Sequence, residues 1–231
     1  VLGAVVLLIA VECAWFASVV VNDWYDTAID EVTNPHRPLI ADTIPQEIYR
    51  VFGFIFFAVS LLFSGIVSFS ALLILRSYQA LAFLYSAPPL RLKKYPFVAT
   101  LFAATAGILV LIAGFVAGTP THNIESLPLP LLSYLFIAYF LALPIKDLKD
   151  IAGDKRDHIY TIPVLLGEQP SKYVIGSLLF LLFAYSPLIL HIRSLIIPAL
   201  LFGGFAFFTI QKGVSDETSF FAFRKLPALI L

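Results

Sequence analysis

The chain has 231 residues, of which 60% are hydrophobic and 13% are charged, and its mean hydropathy is +0.92. Soluble domains carry about 25% charged residues, so this composition excludes an ordinary soluble globule, and its apolar content excludes intrinsic disorder. The fifteen basic and fifteen acidic residues cancel, so the charge does not favour nucleic acid as a partner. A single cysteine and four histidines disfavour disulfides and Cys/His metal sites. We therefore expect an integral membrane protein that contacts the lipid bilayer.

Apolar runs that are long enough to cross a bilayer as helices, about 20 residues each, recur along the whole chain. They predict an all-α, polytopic transmembrane helix bundle that forms a single domain over residues 1–231. Seven predicted helices are complete, and an eighth is cut off where the chain ends. In chain order they cover residues 1–21, 44–65, 68–86, 96–118, 127–145, 173–191 and 195–210, with the eighth beginning near 220.

Charge is distributed unequally between the two ends of these helices. The side where the first helix ends carries thirteen of the fifteen Lys and Arg, all but Arg76 and Arg193, and thirteen of the fifteen acids, all but Glu12 and Glu125. Basic residues accumulate in cytoplasmic loops, so we expect this side to face the cytoplasm. Glu12 and Arg76 lie at similar depth inside predicted helices, and we expect them to pair or to contact a substrate head group.

The first polar cluster, residues 22–30, directly follows the first apolar run. Asn22, Asp26 and Asp30 are four residues apart, so a helix that continues past the run places them on one face. Three oxygen-bearing side chains on one face suit Mg²⁺; a polar cap and a solvated acidic loop is the alternative. Asp23 points about 100° away from Asn22 on an ideal helix, and we expect it to hydrogen-bond a neighbouring loop.

A second acidic cluster, residues 146–154, follows the fifth apolar run on the same side of the membrane. Three of its aspartates have i, i+3, i+7 spacing, which is one helical face. Two acidic faces on one side predict a shared Mg²⁺ cage, in which each ion takes one or two carboxylates and fills its shell with water and phosphate. The predicted metal ligands are Asn22, Asp26, Asp30, Asp147, Asp150 and Asp154.

Basic residues accompany the acidic clusters on this side. Pro88 and Pro89 end the third helix, and three cations follow them before residue 95. Guanidinium and ammonium groups bind phosphate oxygens, although a cytoplasmic anchor is the alternative interpretation for each residue. The residues predicted to bind a diphosphate are Arg37, Tyr85, Arg91, Lys93, Lys94 and Lys146.

Acids for Mg²⁺, bases for phosphate and an apolar bundle for a hydrocarbon together indicate loss of diphosphate from an isoprenoid diphosphate. Metal ions and basic side chains stabilise such a leaving group as its charge develops, and an electron-rich acceptor then attacks the allylic cation. The alternative is a membrane transporter that uses the acidic face as an ion site. Transporters usually bind their substrates and coupling ions near the bilayer midplane, whereas these acids lie at one surface of the membrane.

These motifs resemble those of the UbiA superfamily of intramembrane prenyltransferases. Residues 22–30 match its NDxxDxxxD motif, residues 150–154 match its DxxxD motif, and residues 85–94 and 161–167 resemble two further family segments. The resemblance implies an enzyme that transfers an isoprenyl group, with Mg²⁺, from a polyprenyl diphosphate such as geranyl or geranylgeranyl diphosphate to an aromatic or other lipophilic acceptor. The catalytic residues that it implies are Asp26, Asp30, Asp150 and Asp154.

Members of this superfamily normally have nine transmembrane helices. The resemblance therefore implies that this chain lacks the first of them and the end of the last. It leaves the acceptor open between an aromatic quinone precursor, chlorophyllide, haem and an archaeal glycerol-phosphate lipid. Residues 85–93 are reminiscent of the chlorophyll-synthase type, whereas residues 146–154 are reminiscent of the archaeal lipid type.

Overall fold

A computed structural model describes residues 2–33, 35–119, 124–148, 151–156 and 159–212. All regular structure within these residues is helical. Six of the helices are long and apolar enough to cross a membrane. The prediction of an all-α transmembrane bundle is thereby confirmed, and the chain is an integral membrane protein. The predicted eighth helix lies outside the described residues.

The chain packs as two compact units, Val1–Pro128 and Leu129–Leu231; a single domain over the whole chain stays a prediction. The helices of the first unit correspond to the first four predicted runs. Two short 3-10 segments, Leu92–Lys94 and Ile124–Ser126, flank the last of them. The four helices are α1 (Leu2–Thr33), α2 (Gln46–Val67), α3 (Phe69–Ser86) and α4 (Pro96–Gly118).

Helices α1 and α3 are both central to the first unit, because each packs against the other three of its long helices. Lipid tails are as apolar as leucine, so close packing of small residues, more than burial itself, holds membrane helices together. Helices α1 and α2 approach closely at Gly53 of α2, where an added Cβ would lie 2.6 Å from Cγ1 of Val20 in α1. One buried apolar cluster of this unit consists of Leu7, Ala10, Ala71, Leu75 and Ala113, and another of Val20, Leu39 and Tyr49.

Helix α1 continues past its apolar run to Thr33. No Gly or Pro interrupts residues 22–33, and Pro35 and Pro38 follow directly; a helix does not readily continue through them. The expectation that the first polar cluster lies on the same helix as the first apolar run is confirmed.

Helix α3 is the predicted third membrane helix, but polar residues 76–79 in its middle make it less apolar than the six spanning helices. The guanidinium of Arg76 lies over the ring of Phe57, 5.2 Å from its centroid. Both Arg76 and Glu12 belong to the described chain, and the predicted ion pair between them is not formed; the Glu12 side chain is exposed.

In the second unit, α8 packs against α5 and α9 around a core that includes Ile175 and Leu179. A 3-10 segment, Leu143–Leu148, continues the chain directly after α5. The helices are α5 (Leu129–Ala142), α6 (Ile151–Arg156), α7 (Ile162–Leu166), α8 (Glu168–Ile189) and α9 (Ile196–Lys212).

The contact at Gly53 makes a test of helix packing. We expect Gly53→Ala to destabilise the protein by about 1–3 kcal/mol, since the new methyl group would overpack the stiff, β-branched Val20. The measurement is thermal unfolding in detergent. Gly114→Ala in α4 is the matched control, because nothing lies within 4 Å of its added Cβ. Equal melting temperatures for the two variants would contradict this account of the α1–α2 contact.

Candidate functional site

Two oxygens of the first acidic motif meet at one cation. Lys93 Nζ donates to Asn22 Oδ1 at 3.2 Å and also to Asp26 Oδ2. Arg91 Nη2 donates to the other carboxylate oxygen of Asp26 at 2.7 Å. Ser86 Oγ donates to Asn22 Oδ1 at 3.1 Å, which fixes the orientation of the amide. Asn22 and Asp26, four residues apart on α1, therefore present their oxygens to a single point as the spacing predicted.

The chain between α3 and α4 places these two cations. Arg91 has φ 40°, in the left-handed region, which costs a non-glycine residue about 1 kcal/mol. The 3-10 turn Leu92–Lys94 follows at once, so Arg91 and Lys93 both reach α1, and Arg91 Nη2 also donates to the carbonyl of Tyr25 at 3.2 Å. Local backbone strain of this kind is typical of functional positions.

The Lys93 ammonium lies in a partly buried, strongly charged setting. Burial lowers the pKa of Lys93 below its ordinary value, and the positive charge of Arg91 lowers it further. The hydrogen bond and the charge of Asp26 oppose this shift. Lys94, the next residue, is exposed instead, so the contact with the motif belongs to Lys93.

The other two acids of the motif share a different basic group. Arg37 Nη1 donates to Asp23 Oδ1 at 2.5 Å and to Asp30 Oδ2 at 2.7 Å. Asp23 and Asp30 are seven residues apart, which is about two turns, so they lie almost above one another on α1. Arg37 belongs to the segment between α1 and α2, which confirms that Asp23 hydrogen-bonds a neighbouring loop.

The sequence analysis missed Tyr49, the third group in this cluster. Its hydroxyl donates to Asp23 Oδ2 at 2.6 Å, and both side chains are buried. A tyrosine in the first turn of a membrane helix is also the usual interfacial anchor. The sequence therefore offered no signal that this tyrosine turns inward to a carboxylate.

Two cavities lie on different faces of α1. The first, of about 240 Å³, is polar and lies between α1 and α3; its lining includes Asn22, Asp23, Arg37, Tyr85 and Ser86. It brings the predicted Tyr85 beside the acidic motif.

The second cavity, of about 340 Å³, is apolar, and aromatic residues of α1, α2 and α3 line it. At this cavity the Arg50 guanidinium lies over the Trp24 ring, 4.6 Å from its centroid. Of the predicted site residues, Asn22, Arg37 and Tyr85 line the polar cavity, and none lines the apolar one.

The second acidic motif belongs to the second unit. Asp147 lies in the 3-10 segment that contains Pro144, and Asp154 lies in α6; Asp150 lies outside the described residues. Pro144 lacks an N–H donor and disfavours a continuous α-helix, so the single α-helical face predicted from Asp147 to Asp154 is not formed at its start. Asp154 Oδ2 accepts a hydrogen bond from Thr161 Oγ1 at 3.1 Å.

Lys146 lies in the same 3-10 segment and is exposed. Its predicted role at the diphosphate stays a prediction. The same is true of Lys94.

The first motif fits Mg²⁺ by the chemistry of its donors. No group of three or more His, Cys, Asp and Glu within the described ranges is arranged to hold a metal ion. Asn22 and Asp26 nevertheless converge on the Lys93 ammonium, which stands where a cation would be bound. Mg²⁺ often takes only one or two carboxylates and fills its shell with water and phosphate. Two protein oxygens at this point are therefore sufficient, provided that Lys93 moves away.

This chain matches one family model and is similar in sequence to several known proteins. A family model described as the UbiA prenyltransferase family matches residues 1–226. The digeranylgeranylglyceryl phosphate synthase of Thermococcus sibiricus is 28% identical over 97% of this chain and 79% of its own length. That of Pyrococcus abyssi is 28% identical over 75% of this chain and 59% of its own length.

A solved structure has a similar fold. The structure of a UbiA homolog from Archaeoglobus fulgidus bound to GPP and Mg²⁺ matches with a TM-score of 0.75 and 21% identity. The match covers 93% of this chain and 77% of that one.

Tyr49 offers a test of the Asp23–Asp30 cluster. We expect Tyr49→Phe to destabilise the protein by about 1–3 kcal/mol, because the buried Asp23 carboxylate loses a hydrogen-bond donor. Thermal unfolding in detergent measures the effect. Tyr173→Phe is the control, since this tyrosine is 58% exposed in α8. A Tyr49→Phe variant as stable as its control would show that the hydroxyl contributes nothing there.

Proposed function

Since the chain belongs to the UbiA prenyltransferase family, we propose that it transfers an isoprenyl group from a polyprenyl diphosphate to a lipophilic acceptor, with Mg²⁺ as cofactor. One observation carries the proposal: Asn22 and Asp26 present oxygens to a single cation at the end of a membrane helix, beside basic side chains. Oxygen ligands for a metal and cationic donors for phosphate are the two halves of a diphosphate site.

Each residue of the first motif has a proposed task. Asn22 and Asp26 would hold Mg²⁺, which when bound neutralises the charge that develops on the departing diphosphate. Arg91 and Lys93 donate N–H groups to the diphosphate oxygens. Arg37 holds Asp23 and Asp30 and faces the polar cavity, from which it also reaches the diphosphate.

Further residues take their proposed roles from the sequence pattern. The second motif adds metal ligands, and three more side chains contact the diphosphate. The proposed ligands are Asp30 of the first motif with Asp147, Asp150 and Asp154 of the second, and the proposed diphosphate contacts are Tyr85, Lys94 and Lys146.

The reaction itself breaks the bond between C1 of the prenyl group and the diphosphate oxygen. The diphosphate leaves with the bonding electrons, and the acceptor forms the new bond to C1 and loses a proton. Arg91 and Lys93 stabilise the leaving group, because their N–H donors are already placed where negative charge appears. The membrane-embedded helices exclude water, which would otherwise trap the allylic cation.

We propose a glyceryl phosphate lipid as the acceptor. The two synthases described above are named for a product with two geranylgeranyl groups on glyceryl phosphate. By analogy, the donor here would be geranylgeranyl diphosphate, and the acceptor would be a glyceryl phosphate that already carries one geranylgeranyl group. The sequence pattern of residues 146–154 also favours this class.

The side of the membrane on which α1 ends, with the first acidic motif, is proposed to face the cytoplasm. The positive-inside rule supports this orientation, since all but two of the Lys and Arg lie on that side by the predicted topology. Family membership favours an enzyme over the transporter alternative.

Asp26 is the sharpest test of the proposed function. We expect Asp26→Asn to remove the stabilisation of the protein by geranylgeranyl diphosphate with Mg²⁺, and to slow diphosphate release by about 10²–10³-fold, because the variant lacks the carboxylate that would hold the metal ion. Thermal unfolding and a diphosphate-release assay measure the two effects. Asp42→Asn is the control, because Asp42 is exposed and asparagine tolerates its φ of 50°. Full activity of Asp26→Asn, or of wild type without divalent cations, would refute the proposal.

The second motif is tested by Asp154→Asn. The amide oxygen can still accept a hydrogen bond from Thr161, so we expect this contact to be kept in the ligand-free variant. We also expect the Mg²⁺-dependent stabilisation by geranylgeranyl diphosphate to be lost, because a carboxylate ligand is lost. Retained donor binding would show that the Asp154 carboxylate is not needed to hold the metal ion. Thr161→Val, which removes the hydroxyl and keeps the carboxylate, separates these two roles.

A further inference from the structure

The apolar cavity between α1, α2 and α3 has a cation at one end, and the acidic motif does not use it. Its volume of about 340 Å³ is within the range of small-molecule sites, about 300–1,000 Å³. All of its lining side chains other than that of Arg50 are apolar or aromatic. We call it the Arg50 groove, and the residues that matter for its contents are Arg50, Trp24, Phe54, Phe57 and Phe83.

The Arg50 groove is open on the side that faces the hydrocarbon of the membrane. Phe54 is 72% exposed and Phe83 is 48% exposed, and α2, which carries Phe54, is a membrane-spanning helix. From Arg50 to Phe57 the groove follows seven residues of α2, about 10 Å along the helix. This length lies within one leaflet of a hydrocarbon core that is about 30 Å thick. A lipid chain of that leaflet therefore has direct access to the aromatic walls.

The cation at the end of the groove is held in place without a counter-ion. The Arg50 guanidinium lies over the Trp24 ring, 4.6 Å from its centroid. Among the residues that the structure describes, no carboxylate forms an ion pair with Arg50. Arg50 lies one turn into α2, and tryptophans such as Trp24 are enriched at the level of the lipid head groups. A guanidinium at this level is suited to bind a phosphate through two parallel N–H donors.

The groove lies on the side of α1 that is opposite to the acidic motif. Trp24 precedes Asp26 by two residues, which is about 200° around an α-helix. Asn22 and Asp23 line the polar cavity, and none of the motif's acids lines the Arg50 groove. A diphosphate at Asp26 could not place its hydrocarbon chain in this groove without passing around α1. The groove therefore requires a different occupant.

We propose that the Arg50 groove binds one anionic phospholipid, with its phosphate on Arg50 and one hydrocarbon chain along Phe54, Phe57 and Phe83. Basic sites between membrane helices are typical binding sites for anionic head groups. Charge complementarity gives the selectivity, because a zwitterionic head group already carries a cation beside its phosphate, whereas an anionic one does not. This lipid site is separate from the prenyl transfer proposed for the acidic motif.

Trp24 itself can report on what fills the groove, because the chain has only two tryptophans. The other, Trp15, is 50% exposed, so Trp15→Phe leaves Trp24 as the one tryptophan that is excited. This protein is reconstituted in bilayers of phosphatidylglycerol and phosphatidylcholine with identical chains, and one lipid at a time carries bromine atoms on its chains to quench the tryptophan. We expect phosphatidylglycerol to occupy the groove about fivefold more strongly than phosphatidylcholine, the factor that one basic residue adds for an anionic lipid.

Two variants in the Trp15→Phe background test the role of Arg50. We expect Arg50→Met, which keeps an apolar stem over Trp24, to abolish the preference for phosphatidylglycerol. Lys94→Met is the matched control: it removes one positive charge from an exposed residue of the same unit that does not line the groove, and we expect the preference to remain. Equal quenching by the two lipids before Arg50 is changed, or an unchanged preference in Arg50→Met, overturns the inference.

A second measurement uses the unaltered protein in detergent, so it does not depend on how the variants fold. A lipid that binds the folded state raises the melting temperature by mass action. We expect phosphatidylglycerol to raise the melting temperature more than phosphatidylcholine with the same chains at the same concentration. Equal shifts in melting temperature for the two lipids overturn the inference.

Two competitors identify the occupant of the groove. We expect inorganic phosphate to leave the quenching of Trp24 unchanged, because a free anion has no chain to contact the aromatic walls. We expect the same of geranylgeranyl diphosphate with Mg²⁺, whose proposed site lies on the other face of α1. Relief of quenching by either compound overturns a phospholipid as the occupant. Failure of prenyl transfer would refute the proposed function and leave this lipid site unaffected.

Discussion

The contact between Asp26 of α1 and the two cations of the α3–α4 connection is the interaction on which the site depends. A carboxylate that is buried at the end of a membrane helix must have a cation beside it, because the cost of an unpaired buried charge is large. Because Arg91 and Lys93 both have to reach Asp26, the α3–α4 connection, with Arg91 in the left-handed conformation, lies at the level of Asp26 along α1. The same constraint acts through Arg37 on the segment that precedes α2. The two loops of the first unit therefore take their positions from the acids of one helix.

Helix α1 contacts three other helices, and Gly53 of α2 approaches Val20 closely. The polar extension to Thr33 continues the same helix, with no Gly or Pro in its last three turns. A site built on a rigid helix holds its ligand atoms more accurately than one built on loops.

Much of the fold followed from local features of the sequence. The fourth predicted run and α4 have the same bounds, residues 96–118, because an apolar run in a membrane has to satisfy its own backbone hydrogen bonds and so forms a helix. The helical spacing of the polar residues after the first run also predicted that α1 continues past it. The sequence did not predict the partner of Arg76, which lies over Phe57, because depth in the membrane gives the height of a side chain and not its direction around the helix.

The sequence by itself determined the family, the helices, and the acids and bases available for a diphosphate site. Helical spacing also sufficed to bring Asn22 and Asp26 to one point, since four residues form a nearly complete turn. The tertiary structure decided which groups meet which acid: Lys93 rather than Lys94 on Asp26, Arg37 on Asp23 and Asp30, and Tyr49 on Asp23. Lys93 and Asp26 are 67 residues apart. Such pairs depend on how separate helices pack and on the backbone of the loops between them, and neither is encoded in the residues next to each charge.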